Sequence, residues 1–223
     1  MRQLFDKIKM KKQFSPEHID FNAQWHTYRT AAGVKLLSVS GFLKHYSPVF
    51  DSVGNSERVA LKRGITAQEV LAEWEAKAEN SRQKGTEFHA KMEEYFLNRE
   101  KYGRLESADP VVQKVLEQIP TLKMSDGDLQ FHSEALIAWP EWGLAGTSDL
   151  VVYSPKRNLA LLYDFKTNAE IKKEGFGGEK LRHPFEMLEN CDYDKYELQL
   201  TLYGAMLMQQ GIKIGGLAVI HID

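Results

Sequence analysis

The spacing of apolar positions changes character near residue 128. Before it they recur at helical intervals. From Thr66, TAQEVLAEWEAKAEN places Val70, Leu71, Trp74 and Ala78 on one stripe, and Thr66 with Glu69 has capping-box spacing. A second stripe, Phe88, Met92, Tyr95 and Phe96, predicts a helix over 84–96, and the pattern leaves open whether Gly85 separates the two helices or sits inside one. A shorter helix is expected within 36–46, entered through Ser38 or Ser40, since a hydroxyl there can accept from a free backbone N–H. Residues 47–64 read as a polar, Gly-containing connection. Residues 1–35 begin basic (Lys7, Lys9, Lys11, Lys12) and carry Phe14, Phe21, Trp25 and Tyr28 without a clear period, which reads as an extended or partly ordered arm.

After residue 128 the period falls to two. Strands are expected over 131–138, 146–153 and 159–166, with turn chemistry at Trp139-Pro140 and Ser154-Pro155, the pattern of an antiparallel meander. Residues 168–196 form a long polar segment with Gly175, Gly177 and Gly178, longer than a compact domain leaves structureless unless the loop has a task. An amphipathic helix over 196–210 stops at Gly211, and LAVIHI over 217–222 reads as a final strand. The expectation is an α/β chain with an arm over 1–35, a helical part over 36–128 and a sheet core over 129–223.

Composition narrows the class. The chain has 223 residues, a formal charge of −2, 43% hydrophobic and 27% charged residues, enough for one sizeable core without staples. No run approaches the ~18 apolar residues of a membrane span, and the N-terminus lacks the apolar centre of a secretory signal. The expectation is a soluble, cytoplasmic protein, a setting that includes an infected cell and leaves the mitochondrial matrix open, with no membrane partner. One cysteine, Cys191, cannot supply a four-cysteine zinc or iron–sulfur site, so no iron–sulfur cluster is expected. Near-neutral charge excludes an all-over basic protein but not a local basic groove.

The chemistry concentrates in LLYDFKT, residues 161–167. Strand alternation puts Leu162, Asp164 and Lys166 on one face and Tyr163 and Phe165 on the other. An acid two residues before a lysine suits metal-dependent phosphodiester hydrolysis: the acid holds a cation, and the lysine orients the attacking water and counters developing charge. A solvated charge pair at a strand end would read the same. Asp149 changes the picture, because a hairpin between Ser154 and Asn158 brings it beside Asp164. Two such carboxylates raise each other's pKa unless a cation lies between them. Mg²⁺ suits that site, since it takes one or two carboxylates and keeps positions for water and phosphate oxygens. Upstream, His89 follows Gly85-Thr86-Glu87-Phe88 on the inward face of its helix, where it is either a packed core histidine or a ligand.

Together G-T-x-F-H at Gly85 to His89, Glu134 on a strand, G-x-x-D ending at Asp149, D-x-K at Asp164 to Lys166, and Q-L-x-L-Y from Gln199 to Tyr203 resemble the RecB-like branch of the PD-(D/E)XK nuclease superfamily. The resemblance extends to Ser38 to Ser40 and Trp74, covers roughly residues 36–222, and is nearest to phage exonucleases and the mitochondrial genome maintenance exonuclease. It implies a restriction-endonuclease-like core, with His89, Asp149, Asp164 and the Phe165 carbonyl as metal ligands, Lys166 as the catalytic lysine, and Glu134 as a supporting ligand or water-holder. Gln199 and Tyr203, four apart on one helix face, would line the site and touch DNA. Ser148 stands where the family's literal proline would.

Ser38, Ser40, Arg82 and Lys84 are further candidate DNA contacts, as are Lys172, Lys173, Lys180 and Arg182 in the long loop. Phosphates are held by Lys and Arg and unpaired bases by aromatic rings, which adds Trp25 and Tyr28 of the arm. The resemblance implies a Mg²⁺-dependent DNA exonuclease, with Mn²⁺ able to substitute, acting on single-stranded or end-bearing DNA in replication, repair or recombination, in company with a recombination or replication protein. A nicking or structure-specific endonuclease using the same residues, or a non-catalytic DNA-binding subunit, would share the pattern.

Overall fold

The computed structural model describes residues 12–98, 106–119 and 129–222; Lys7, Lys9 and Lys11 lie outside them. In chain order the elements are β1 (Gln13–Phe14), β2 (Ile19–Asn22), β3 (Thr27–Thr30), β4 (Lys35–Ser38), α1 (Val39–Tyr46), α2 (Ser52–Arg63), α3 (Ala67–Asn98), α4 (Pro110–Gln118), β5 (Gln130–Trp139), β6 (Leu144–Ser154), β7 (Leu159–Lys166), α5 (Asp192–Gln209) and β8 (Lys213–His221). The architecture is mixed α/β: one eight-stranded mixed sheet with helices on both faces. No helix among the described residues is long and apolar enough to cross a membrane.

The expected meander is present, β5 antiparallel to β6 and β6 antiparallel to β7, and β8 adds parallel to β7. The arm expected over 1–35 is different from residue 13 onward. Its strands β2, β3 and β4 form an antiparallel ribbon that joins the sheet where β4 pairs parallel with β6, and β1 pairs parallel with β5. Strands of two to four residues are too short to show a period, and their burial comes from the sheet they join.

Helix ends follow local chemistry. Ser38 caps α1, accepting from Gly41 N–H at 3.0 Å. The Thr66–Glu69 capping box forms, each side chain taking the other residue's backbone N–H. α3 then runs 32 residues through Gly85, whose missing Cβ lies 3.6 Å from Thr167 Oγ1. The connection expected over 47–64 contains α2, which buries only Ser56 and Ala60 and so shows no apolar stripe. α4, which no sequence stripe announced, starts with Pro110 at its first turn and Asp109 as cap.

Two packed layers sandwich the sheet. Leu43, Ile137, Leu162, Leu200 and Met206 form the core under α1 and α5. Phe88, Met92, Val115, Leu150 and Phe165 form the core under α3 and α4. Ile19, Tyr28, Leu36 and Ala145 make a smaller third cluster around the ribbon.

Candidate functional site

β6 is the strand on which the site is built. β5 pairs along one edge, from Leu144 to Tyr153. The other edge is shared, β4 taking Leu144 and Ala145 and β7 taking Leu150 to Ser154. Residues 146–149 therefore lie at a fork, between the end of β4 and the end of β7. The β5–β6 ladder also breaks there: Ser133 pairs with Leu150 and Ala135 with Ser148, and the register skips Glu134 and Asp149, which stand opposite each other.

Glu134 has φ +48°, a left-handed conformation that costs an L-residue roughly 1–2 kcal/mol. Its effect is visible in both strands. Leu144 belongs to the α5-side core, yet Leu150 and Val152, of the same parity, belong to the α3-side core; Phe131 packs on the α3 side, yet Ala135 and Ile137 pack on the α5 side. Both strands exchange faces at Glu134 and Asp149. Like charges directly opposite one another destabilise a sheet, so this crease combines backbone strain with electrostatic repulsion.

His89 reaches the crease from α3. Its Nδ1 lies 3.4 Å from Asp149 Oδ1 and 4.0 Å from Glu134 Oε1. Burial alone lowers the imidazole pKa, but the hydrogen bond to Asp149 and the charges of Asp149 and Glu134 outweigh it and raise the net value. One ligand atom from each of His89, Glu134 and Asp149 falls within 4.8 Å of the others, a spacing that fits a metal ion. The second oxygen of Asp149 accepts the Phe165 N–H at 2.6 Å. Ile222 N–H donates to the Lys166 carbonyl on the β8 side. Since successive carbonyls of a strand alternate, the Phe165 carbonyl points to the β6 side, toward Asp149.

Asp164 and Lys166 come from the neighbouring strand. Asp164 is 2% exposed, and burial first, then the Asp149 charge, push its carboxyl from 3.8 to about 6 against the pull of Lys166 and His89. Its Oδ2 is 2.8 Å from Lys166 Nζ but poorly aimed, so this buried oxygen accepts no directed hydrogen bond. Gln199 Nε2 donates to Oδ1 at 3.4 Å. Lys166 Nζ also lies 4.6 Å from the Tyr196 ring centre, a cation–π contact. Tyr203 is buried over Gly146, where a Cβ would come within 2.5 Å of its hydroxyl. That close approach is the physical reason for glycine in G-x-x-D.

The crease thus groups His89 and Asp149 with Glu134, while Asp164 turns to Lys166 and Gln199, beside that triad instead of in it. Ser38 is occupied as a cap and Ser40 donates to it at 3.3 Å. Arg82 is bound to Glu75 and Glu79 on its own helix, whereas Lys84 is exposed along a cavity of about 660 Å³ that reaches Thr167. Lys180 pairs with Glu189. Sequence reasoning missed Tyr196, although it precedes Gln199 and Tyr203 at helical spacing; Tyr28, expected as a DNA-contacting ring of the arm, is instead packed inside, beside the site. Tyr28 is fully buried; burial and Glu134 raise its pKa to about 12, with the Thr147 side chain opposing. No family model, curated protein or solved structure matches this chain.

Proposed function

We propose that the chain is a metal-dependent deoxyribonuclease of the PD-(D/E)XK type, RecB-like, with a restriction-endonuclease-like core, acting as an exonuclease on single-stranded or end-bearing DNA. The observation that carries this reading is the crease, where His89, Glu134 and Asp149 converge beside the Asp164–Lys166 pair. A cation there would offset the repulsion between the Glu134 and Asp149 carboxylates, so these residues fit a divalent metal. Oxygen donors with one imidazole suit Mg²⁺ or Mn²⁺.

His89, Glu134 and Asp149 would hold the ion, with Asp164 and the Phe165 carbonyl as neighbouring oxygen donors. When bound, it supplies Lewis-acid stabilisation of the phosphate oxygens and a more acidic water. Phe165 N–H and Gln199 fix the two aspartates. Lys166, steered by Asp164 and the Tyr196 ring, orients the attacking water and offsets charge on the phosphate. The attacking water gives up a proton to surrounding solvent as its oxygen forms the new P–O bond, the ester P–O bond breaks, and the leaving oxygen takes up a proton from solvent.

The test is cleavage of an end-labelled linear single strand beside a closed circle of the same sequence, with Mg²⁺, Mn²⁺ or EDTA. Metal-dependent loss of the linear strand alone is the expected result. A cut circle would make the enzyme an endonuclease, and no cleavage with either metal would leave a DNA-binding subunit.

A further inference from the structure

The ribbon formed by β2 and β3 has no part in the hydrolysis described above, yet its tip is built with care. Trp25 in the turn is 71% exposed and its indole meets no other ring among the described residues. The backbone beneath it is braced. Trp25 N–H donates to Asn22 Oδ1 at 3.0 Å, and His26 takes the left-handed conformation, φ +46°. The His26 ring stands edge-on to Phe21 at 5.4 Å and to Tyr28 at 5.5 Å, Phe21 stacks on Tyr28 at 4.9 Å, and His26 Nε2 is 3.2 Å from the Tyr28 hydroxyl. Tyr28 in turn lies against Thr147 and feels Glu134.

Topology sets where this tip points. β3 runs antiparallel to β4, Tyr28 opposite Leu36, and β4 runs parallel to β6, Leu37 opposite Leu144. The turn therefore sits at the C-terminal end of β4, where that strand leads into α1, level with the fork in β6 that the C-terminal end of β7, carrying Lys166, approaches from the opposite direction. Two strand spacings, about 10 Å, separate β3 from β6.

We propose that Trp25 is a stacking platform for an unpaired nucleobase beside the phosphodiester held at the crease. This inference rests on the nuclease reading and narrows its substrate to strands with unpaired bases at the cut. Every base presents a π-face, so stacking needs no sequence. Asn22, Ala23 and Gln24 around the indole are exposed and mostly polar, so the turn offers one flat ring and lacks the broad apolar area of a protein interface. The braced turn is already ordered, so binding spends little entropy on it.

The test uses the full chain and a short labelled oligothymidylate. In EDTA, fluorescence anisotropy should show Trp25→Ala binding about tenfold more weakly than the parent, and Trp25→Phe within about threefold. With Mg²⁺ the loss falls on KM. An abasic residue next to the cleaved bond should weaken the parent to the same degree and add nothing to Trp25→Ala. Cleavage by the parent with Trp25→Ala within about twofold in both assays overturns the platform and leaves the nuclease standing. No cleavage by the parent, with Trp25→Ala still weakening oligothymidylate binding, overturns the nuclease reading and keeps Trp25 as a base-stacking residue of a DNA-binding protein.

Discussion

The two halves of β6 are made of the same kind of chain and do opposite things. From Leu150 to Tyr153 the strand is paired on both edges, its apolar side chains alternating between the two cores. From Gly146 to Ser148 it is paired on the β5 edge only, with a glycine under a tyrosine, and at Asp149 both ladders are interrupted and a carboxylate faces another carboxylate. The regular half supplies stability. The irregular half stores strain and charge where a cation and a phosphate could use them. Where a sheet loses its ladder, backbone and side-chain groups become available for chemistry, and the neighbouring ladder holds them in place.

The largest effect should come from Lys166→Ala. It removes the group that orients the nucleophile while leaving β7 paired, so the cleavage rate per folded molecule with Mg²⁺ should fall by roughly 10²–10⁴, with a lower urea midpoint because the buried Asp164 loses its countercharge. The regular half gives the converse in Leu150→Ala. This fully buried side chain should cost about 2–5 kcal/mol in urea unfolding, with activity per folded molecule retained.

Asp164→Asn should show the tension between the halves through pH. In the metal-free protein the native carboxyl titrates at about 6 and the unfolded one near 3.8, so between those values the native state holds a proton the unfolded chain has released. Stability contributed by this group is present below about pH 4 and lost as pH rises through about 6. In EDTA, Asp164→Asn should therefore be more stable than the parent at pH 7, by on the order of 2 kcal/mol, with the gain vanishing near pH 4. A gain independent of pH would show that Asp164 is not strained by its charge.

The smallest effect is expected for Glu134→Gly, which relieves the positive φ and the opposed charge but loosens the unfolded chain. A net gain of about 0.5 kcal/mol in EDTA should accompany at least about tenfold weaker Mg²⁺ binding by calorimetry. Unchanged metal affinity would remove Glu134 from the ligand set.

Much of this was legible in the residues. The D-x-K face, the meander, Ser38 and Thr66 as caps and the helix over 196–210 follow from periods and side chains that act within a few positions. What escaped has a common cause. α2 lacks an apolar stripe because it is a mostly exposed helix packed on α3. β1 to β4 are too short to carry a period and acquire burial only from strands more than a hundred residues away. Gly85 carried no signal that would decide between breaking α3 and lying against Thr167.

The sequence by itself determined which residues could carry metal and phosphate chemistry, because alternation and helical spacing set which side chains share a face. Only the tertiary structure decided how they group. Strict alternation puts Glu134 on a predictable side of β5, but its left-handed backbone and the matching exchange of faces in β6 set it against Asp149 and His89. A local pattern repeats with the strand's period. A crease arises from the pairing of two strands and from the helix packed across them, and that information is spread over residues 89, 134 and 149, which meet only when the sheet closes.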